Sequence, residues 1–446
     1  MYEKKSLNNE NFTRIRDFRQ QFSECFLKRR AAMCSLVDAV KQTSHLNSFV
    51  ELSLAPAFGH RWQSIYAITD AEIDTERLNL LCLAQVPKRE SLYYALDVMN
   101  VRRAESETLK ERVICHGAKR EAFGKGIVFG LPYSLLAFTE NAKSSWAMTV
   151  NSERVKPAEK AVGVAVKQIA WLFENSEAET SVGLDGGYGN VGFFLGLKGK
   201  KAFAVARMRN DRTMYGRPER RESRRGNQAK YGEKFKFNEP ESWGEAEETI
   251  EFEDEKHGQV RIEKWSRLRF RVGKEVVEIE VMRSQIHLER EKPNKPRWYG
   301  IHNGTSEKTK LKRCYETVKH RWTIEPSNRF RKDRLYAESP KFREAESSDK
   351  WLKVSQILEW ETYLWRECAK DERMPWQKEL SEEKLTPARV LKSLAMNISE
   401  VGELSQDVLP RGNSKGWEKG RVRKRPPKYK IKLKGKKKPK ITKKVE

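Results

Sequence analysis

Apolar positions recur three and four residues apart over roughly the first 88 residues, then change to runs and alternations typical of strands. The segment FTRIRDFRQQFSECFLKRRAAMCSLVDAV sets Phe18, Phe22, Phe26 and Leu27 at helical spacing, followed by the basic Lys28, Arg29 and Arg30. AEIDTERLNLLCLAQVP gives a further amphipathic segment, ended by Pro87. Residues 1–88 therefore read as a small helical unit. A DNA-binding helix-turn-helix is the sharper alternative to a plain bundle.

From Ser91 the texture is β-rich. SLYYALDVMNV, GIVFGLPYSLLAFT and SSWAMTVN read as three strands, with Asp97 near the end of the first. PAEKAVGVAVKQIAWLFENSE predicts a helix, with Pro157 suited to a first turn and Val162, Val166, Ile169, Ala170 and Phe173 along one face. SVGLDGGYG predicts a strand and a tight turn, with Asp185 where the strand stops, and KKAFAVARMR a further strand that becomes basic as it leaves the sheet. This order predicts a mixed α/β layer domain.

Between residues 210 and 307 the helical pattern disappears. A polar, basic loop precedes TIEFED, GQVRIEKW, RLRFRV and EVVEIEVMRSQIHLE, whose alternation predicts half-buried antiparallel strands. Helices return at about Lys308, and WLKVSQILEWETYLWRECAK is a strong later one. The units expected are 1–88 helical, 89–209 α/β, 210–307 loop and β-rich insertion, 308–405 helical, and 406–446 a basic tail disordered on its own.

Charge narrows the class of partner. The 446 residues carry a net +26, and the last 36 contribute +15 from 17 basic and 2 acidic side chains, leaving +11 on the body. An excess on both parts favours a polyanion, most simply nucleic acid. The six cysteines form no C-x-x-C pair and the seven histidines show no metal-ligand spacing, so a zinc module is not expected and a reducing compartment is. No signal-peptide pattern and no apolar run of roughly 18 residues is present, so a soluble, cytoplasmic protein is expected.

Candidate chemistry rests on three carboxylates. In-line displacement at a phosphodiester is served by two Mg2+ ions about 4 Å apart, and such hard cations need oxygen donors brought together from separate elements. Asp97 and Asp185 sit on strands, and Gly186, Gly187 and Gly189 strip bulk from around the second. A strand-end Asp is also an ordinary turn former. Glu325 lies among Arg321, Arg329, Arg331 and Lys332 in HRWTIEPSNRFRKDRL, where an i,i+4 ion pair with Arg321 is the plain alternative to a metal ligand. Pro326 requires either a kink or a helix beginning there.

Together these stretches resemble the DDE transposases of bacterial insertion sequences, in particular the insertion-sequence-four-like group. That group has a β-strand insertion before its last acid and the signature Y-x2-R-x3-E-x6-K. Arg321, Glu325 and Lys332 match it, Val318 stands at the tyrosine position, and Tyr315 lies one turn earlier. LDVMNVRRAESETLKER resembles the surroundings of the first acid and GLDGGYGN those of the second, so the likeness spans about residues 92–351. It implies an RNase-H-like mixed sheet with flanking helices, interrupted by a β-rich insertion. It also implies that Asp97, Asp185 and Glu325 are catalytic and hold two Mg2+ ions, with Mn2+ as a substitute. Arg321, Lys332, Arg207, Arg209 and Arg329 would contact DNA. The partners implied are double-stranded DNA, as terminal inverted repeats and target, and a second copy in a synaptic homodimer at the nucleoid. The competing readings are an inactive transposase-derived DNA-binding protein and a basic RNA-binding protein. Trp298 and Tyr299 are either base-stacking residues or core.

Overall fold

A computed structural model describes residues 9–116, 126–218, 229–273, 275–292, 294–305, 308–400, 418–422 and 425–432. Residues 219–228 of the polar loop and 401–417, 423–424 and 433–446 of the tail region lie outside them.

The chain begins with α1 (Asn9–Glu24), β1 (Phe26–Lys28), α2 (Arg30–Gln42), α3 (Ala67–Asp70), β2 (Glu72–Ile73) and α4 (Thr75–Ala84). The α/β part follows as β3 (Ser91–Arg102), β4 (Val113–His116), β5 (Ile127–Thr139), β6 (Ala147–Arg154), α5 (Ala161–Glu174), β7 (Glu179–Leu184), α6 (Val191–Leu197) and β8 (Phe203–Arg207). Next come β9 (Thr213–Tyr215), β10 (Lys234–Lys236), β11 (Glu248–Asp254), β12 (Gly258–Phe270), β13 (Val277–Ile286) and β14 (Arg297–Asn303). The last helices are α7 (Leu311–Arg321), α8 (Ile324–Asp333), α9 (Ala345–Trp365) and α10 (Pro387–Met396).

The result is a mixed α/β fold around one large mixed sheet. β3 is central, antiparallel to β5 and parallel to β7, and β8 continues parallel to β7. The inserted strands do not form a separate sheet: β14 pairs antiparallel with β8, with Ile301 opposite Val205, so the insertion lengthens the existing sheet. Alternation along β14 explains the neighbouring aromatics. Trp298 enters the insertion's core, stacked on Phe237 at 4.3 Å with its indole donating to the Phe237 carbonyl, and is thus core rather than a free stacking surface. Tyr299 faces the other way, into a cluster with Met282 and Tyr315.

α9 is the second organising element, buried along almost its whole length between β6 and the N-terminal helices. Its buried carboxylates are matched. Glu361 accepts from Arg19 and from Lys41, whose Nζ lies 2.9 Å from Oε2. Glu359 pairs with Arg331 and accepts the backbone N–H of Thr149 at 2.8 Å. The N-terminal helices thereby share one continuous core with the sheet. A buried carboxylate in this setting depends on its partner, since removing one member of such a pair costs about 3–5 kcal/mol.

Part of the basic tail also has a place. Lys432 bridges Val113 on the edge strand β4 in parallel, its N–H donating to the Arg112 carbonyl at 2.8 Å, and the Tyr429 N–H reaches the Glu107 carbonyl at 2.9 Å. An unpaired strand edge offers donors and acceptors to any extended segment, and these described residues of the tail take them up. Among the described residues no helix is long and apolar enough to cross a membrane.

Candidate active site

Asp97 lies inside β3, not at its end. The strand continues to Arg102 because Met99 and Val101 keep filling the core. Its Oδ1 accepts the Val98 N–H at 2.9 Å, which fixes the carboxylate against the backbone. Burial pushes this carboxyl up to about 6, opposed by Arg321 and reinforced by Asp185 and Glu325. Asp97 therefore stands within electrostatic reach of both other acids.

Asp185 follows the last residue of β7. Its Oδ1 accepts the Gly187 N–H at 2.9 Å, an Asx-type turn. The glycines here have separate reasons. A Cβ on Gly189 would stand 2.1 Å from the Arg207 carbonyl oxygen, so only glycine lets this turn close on the end of β8. One strand residue earlier, a Cβ on Gly183 would meet the Thr317 carbonyl at 2.7 Å and Arg321 Cβ at 2.9 Å. Gly183 thus sets how closely α7 lies over β7, and with it where Arg321 reaches the acids.

Glu325 arrives on a broken helix. α7 stops at Arg321 and α8 begins at Ile324, joined by turns from the Thr323 N–H to the His320 carbonyl and from the Glu325 N–H to the Trp322 carbonyl. Pro326 falls in the first turn of α8, where its missing N–H is not needed. Glu325, 48% exposed, accepts from Arg321 Nη1 at 2.9 Å, while Nη2 of the same guanidinium lies 3.8 Å from Asp97 Oδ2. The i,i+4 pair read from sequence is present, and Arg321 also stands between two of the acids.

Along α8, Glu325, Asn328 and Lys332 occupy one stripe at i, i+3 and i+7. Asn328 Nδ2 approaches Asp97 Oδ2 at 3.5 Å, so this stripe faces β3. Lys332 pairs with Glu338 at 2.9 Å. Arg331, one residue away, points into the core toward Glu359 and is 1% exposed, so it does not belong to this surface. Arg329 projects to solvent and pairs with Asp333 at 3.3 Å. Arg207 and Arg209 are exposed at and just beyond the end of β8, beside the Asp185 turn.

Two residues near the acids escaped sequence reading. Asn328 could have been found from the three-residue step after Glu325. Tyr188, in the turn after Asp185, is buried and its hydroxyl makes no well-formed hydrogen bond among the described residues; burial pushes the phenol up, with Asp97 and Asp185 adding to the effect and Ser134 opposing it. Tyr315, one turn before the signature position, is committed elsewhere, its hydroxyl 2.8 Å from His257 Nδ1. Val318 lines a cavity of about 390 Å³ with Tyr299, Tyr315 and Trp322, so no tyrosine replaces it from α7.

Among the described residues no three His, Cys, Asp or Glu side chains stand as a ready-made metal cage. At this site the guanidinium of Arg321 separates the carboxylates. The donors are nevertheless of the kind a hard divalent ion needs: all oxygen, from three elements, with more negative than positive charge.

Residues 21–269, more than half of the chain, match the family model described as DDE superfamily endonuclease. The chain belongs to this family. The match includes Asp97 and Asp185 and stops before Glu325, which rests on its own motif and geometry. The sequence matches none of the curated proteins. Among solved structures, a cryo-EM structure of the piggyBac transposase synaptic complex with hairpin DNA aligns at 10% identity and a TM-score of 0.38. That alignment spans 92% of this chain and 78% of the other, too loose a likeness for residue-level comparison.

Proposed function

We propose that this chain is a DNA transposase of the insertion-sequence-four-like group, which cuts phosphodiester bonds at the ends of its element and joins them to target DNA. The observation that carries the reading is that Asp97, in a strand interior, and Glu325, in a helix first turn, meet at one guanidinium while Asp185, in a strand-end turn, acts on Asp97 from close by. The DDE endonuclease family match supports the class of reaction.

Bound between these acids, two Mg2+ ions, with Mn2+ as a substitute, would activate a hydroxyl nucleophile and neutralise charge on the phosphate. Asp97 and Asp185 are the fixed donors, because in each a backbone N–H holds one oxygen and leaves the other to point into the site. Glu325 is the adjustable donor, half-exposed and held by Arg321. Once the acids are engaged, the forked donors of Arg321 suit a phosphate oxygen, and Lys332 supplies charge two helical turns further along. Arg207, Arg209 and Arg329 extend the cationic surface on which a duplex would lie. Partners would be double-stranded DNA, as terminal repeats and target, and a second copy that synapses two ends, in the bacterial cytoplasm.

The test is cleavage of a labelled duplex carrying the element's terminal repeat, with Mg2+, by the wild type and by Asp185→Ala and Glu325→Ala. Nicking at the repeat boundary that both substitutions abolish, with binding retained, supports the reading. Tight binding with no cut by the wild type would leave a DNA-binding relic.

A further inference from the structure

Beyond the acids, the stripe of α8 runs into a cavity of about 460 Å³ between the end of β3 and the segment after α8. Two cations meet one carboxylate there. Glu338 places Oε1 2.9 Å from Lys332 Nζ and Oε2 2.7 Å from Arg102 Nη2. The frame around them is fixed independently of Glu338's side chain. Arg103 is buried and spends its guanidinium on the carbonyls of Arg102, Glu338 and Pro340, at 2.6, 2.8 and 2.7 Å, tying the backbone at 338–340 to the end of β3. The wall is therefore rigid, and the Glu338 carboxylate is the part that can turn away.

A carboxylate that gives one oxygen to each of two cations presents what two non-bridging phosphate oxygens present. Lys332 lies seven residues from Glu325, about 10 Å along the helix axis. That reach falls between the first and the second backbone phosphate along a strand whose scissile bond rests at the acids.

We propose that Arg102 and Lys332 form a subsite for a DNA backbone phosphate, and that Glu338 fills it as a built-in anion which the DNA displaces. The inference rests on the DNA-cutting reading above and adds Arg102 as a binding residue and Glu338 as the competitor. It makes Glu338 an acid whose loss improves binding, opposite to what a structural brace would do.

The test is anisotropy of a labelled duplex bound to the full-length protein over a series of salt concentrations. Arg102→Ala should weaken binding roughly five-fold or more and lower the magnitude of the salt slope by about one. Glu338→Gln should tighten binding by roughly two- to five-fold, the worth of the partly exposed ion pairs released. The thermal midpoint of each variant controls for folding. Tighter binding by Glu338→Gln together with a shallower slope for Arg102→Ala establishes the subsite. Weaker binding by Glu338→Gln at an unchanged midpoint makes it a brace and overturns the proposal, as does an unaltered slope for Arg102→Ala. In those cases wild-type duplex binding stands, and the wider reading with it. No salt-dependent duplex binding by the wild type would remove both.

Discussion

Two charged clusters, each anchored by a residue of α8, are built on opposite principles. Arg331 with Glu359 of α9, and further along α9 Glu361 with Arg19 of α1 and Asp38 and Lys41 of α2, are buried with cations facing anions and each carboxylate hydrogen-bonded. Asp97 and Glu325 share the guanidinium of Arg321, whose Nε is itself buried without a partner among the described residues, and Asp185 adds a third negative charge nearby. The first cluster is complete and holds the sheet to the helices. The second has surplus negative charge, and one carboxyl is pushed up to about 6 mainly by burial. A site left electrostatically incomplete within a rigid frame is arranged for a ligand that the chain does not supply.

The sharpest way to break that contrast is to truncate one acid from each cluster. Glu325→Ala should abolish cleavage, by roughly 10³-fold or more, and leave the thermal midpoint nearly unchanged. Glu359→Ala should strand Arg331 in the core and lower stability by about 3–5 kcal/mol, seen as a fall in the unfolding midpoint. If Glu325→Ala destabilises as much as Glu359→Ala, the two clusters are the same kind of structure and the contrast fails.

Asp97 offers a test by pH. Its folded-state carboxyl is raised from the ordinary 3.8 to about 6, so the folded chain binds its proton more tightly than the unfolded chain does. Below about pH 4 the group is protonated in both states and costs nothing. As pH rises through about 6 the folded state must ionise it against burial and its acidic neighbours, and stability is lost across that window. Asp97→Asn should therefore raise stability at pH 8 in metal-free buffer, on the order of 2 kcal/mol, with the gain vanishing near pH 4. Mg2+ should shrink the gain at pH 8 by stabilising only the wild type. A gain that is the same at pH 4 and pH 8 would mean that repacking, not charge, is responsible.

Arg321 and Arg331 can be compared directly. Arg321→Gln removes the cation standing among the acids, so Mn2+ binding followed calorimetrically should tighten by roughly two- to five-fold, the worth of a partly exposed ion pair. Duplex affinity should fall in the same variant. Arg331→Gln should leave Mn2+ affinity alone and lower the unfolding midpoint. Weaker Mn2+ binding by Arg321→Gln would show that the guanidinium positions Glu325 rather than competing with a metal.

What the sequence revealed and what it hid follow from the range of each interaction. The mixed α/β order and the R-x3-E-x6-K spacing are local, and they survive even though the helix breaks at Trp322 and Thr323, because α8 restarts with Glu325 in its first turn and Lys332 two turns on. Pro326 raised the question and its place in that turn answers it. Arg331 and Lys332 look alike in the chain. Only Thr149 and Glu359, far away in sequence, decide that one faces the core and the other the cavity. The alternation in KPRWYG separates Trp298 from Tyr299, but which one enters the core depends on the packing of Phe237 and Trp243. The tail's docking depended on an edge strand that the sequence does not mark, since β4 is short and follows a long turn.

The smallest effect belongs to Tyr188, and it tests whether the incompleteness of the site reaches beyond the carboxylates. A buried hydroxyl with no partner costs about 1–3 kcal/mol relative to a satisfied one. Tyr188→Phe removes that cost and keeps the ring's edge-on packing with Phe193 at 6.0 Å. The variant should gain about 1 kcal/mol of stability in metal-free buffer, read from the unfolding midpoint. If the hydroxyl is held in reserve for something bound among the acids, the same variant should lose cleavage activity while it gains stability, the trade expected where a functional group is kept at the fold's expense. Lower stability in Tyr188→Phe would show that the hydroxyl is satisfied in solution. The incompleteness of the site would then end at Asp97, Asp185, Glu325 and the guanidinium among them.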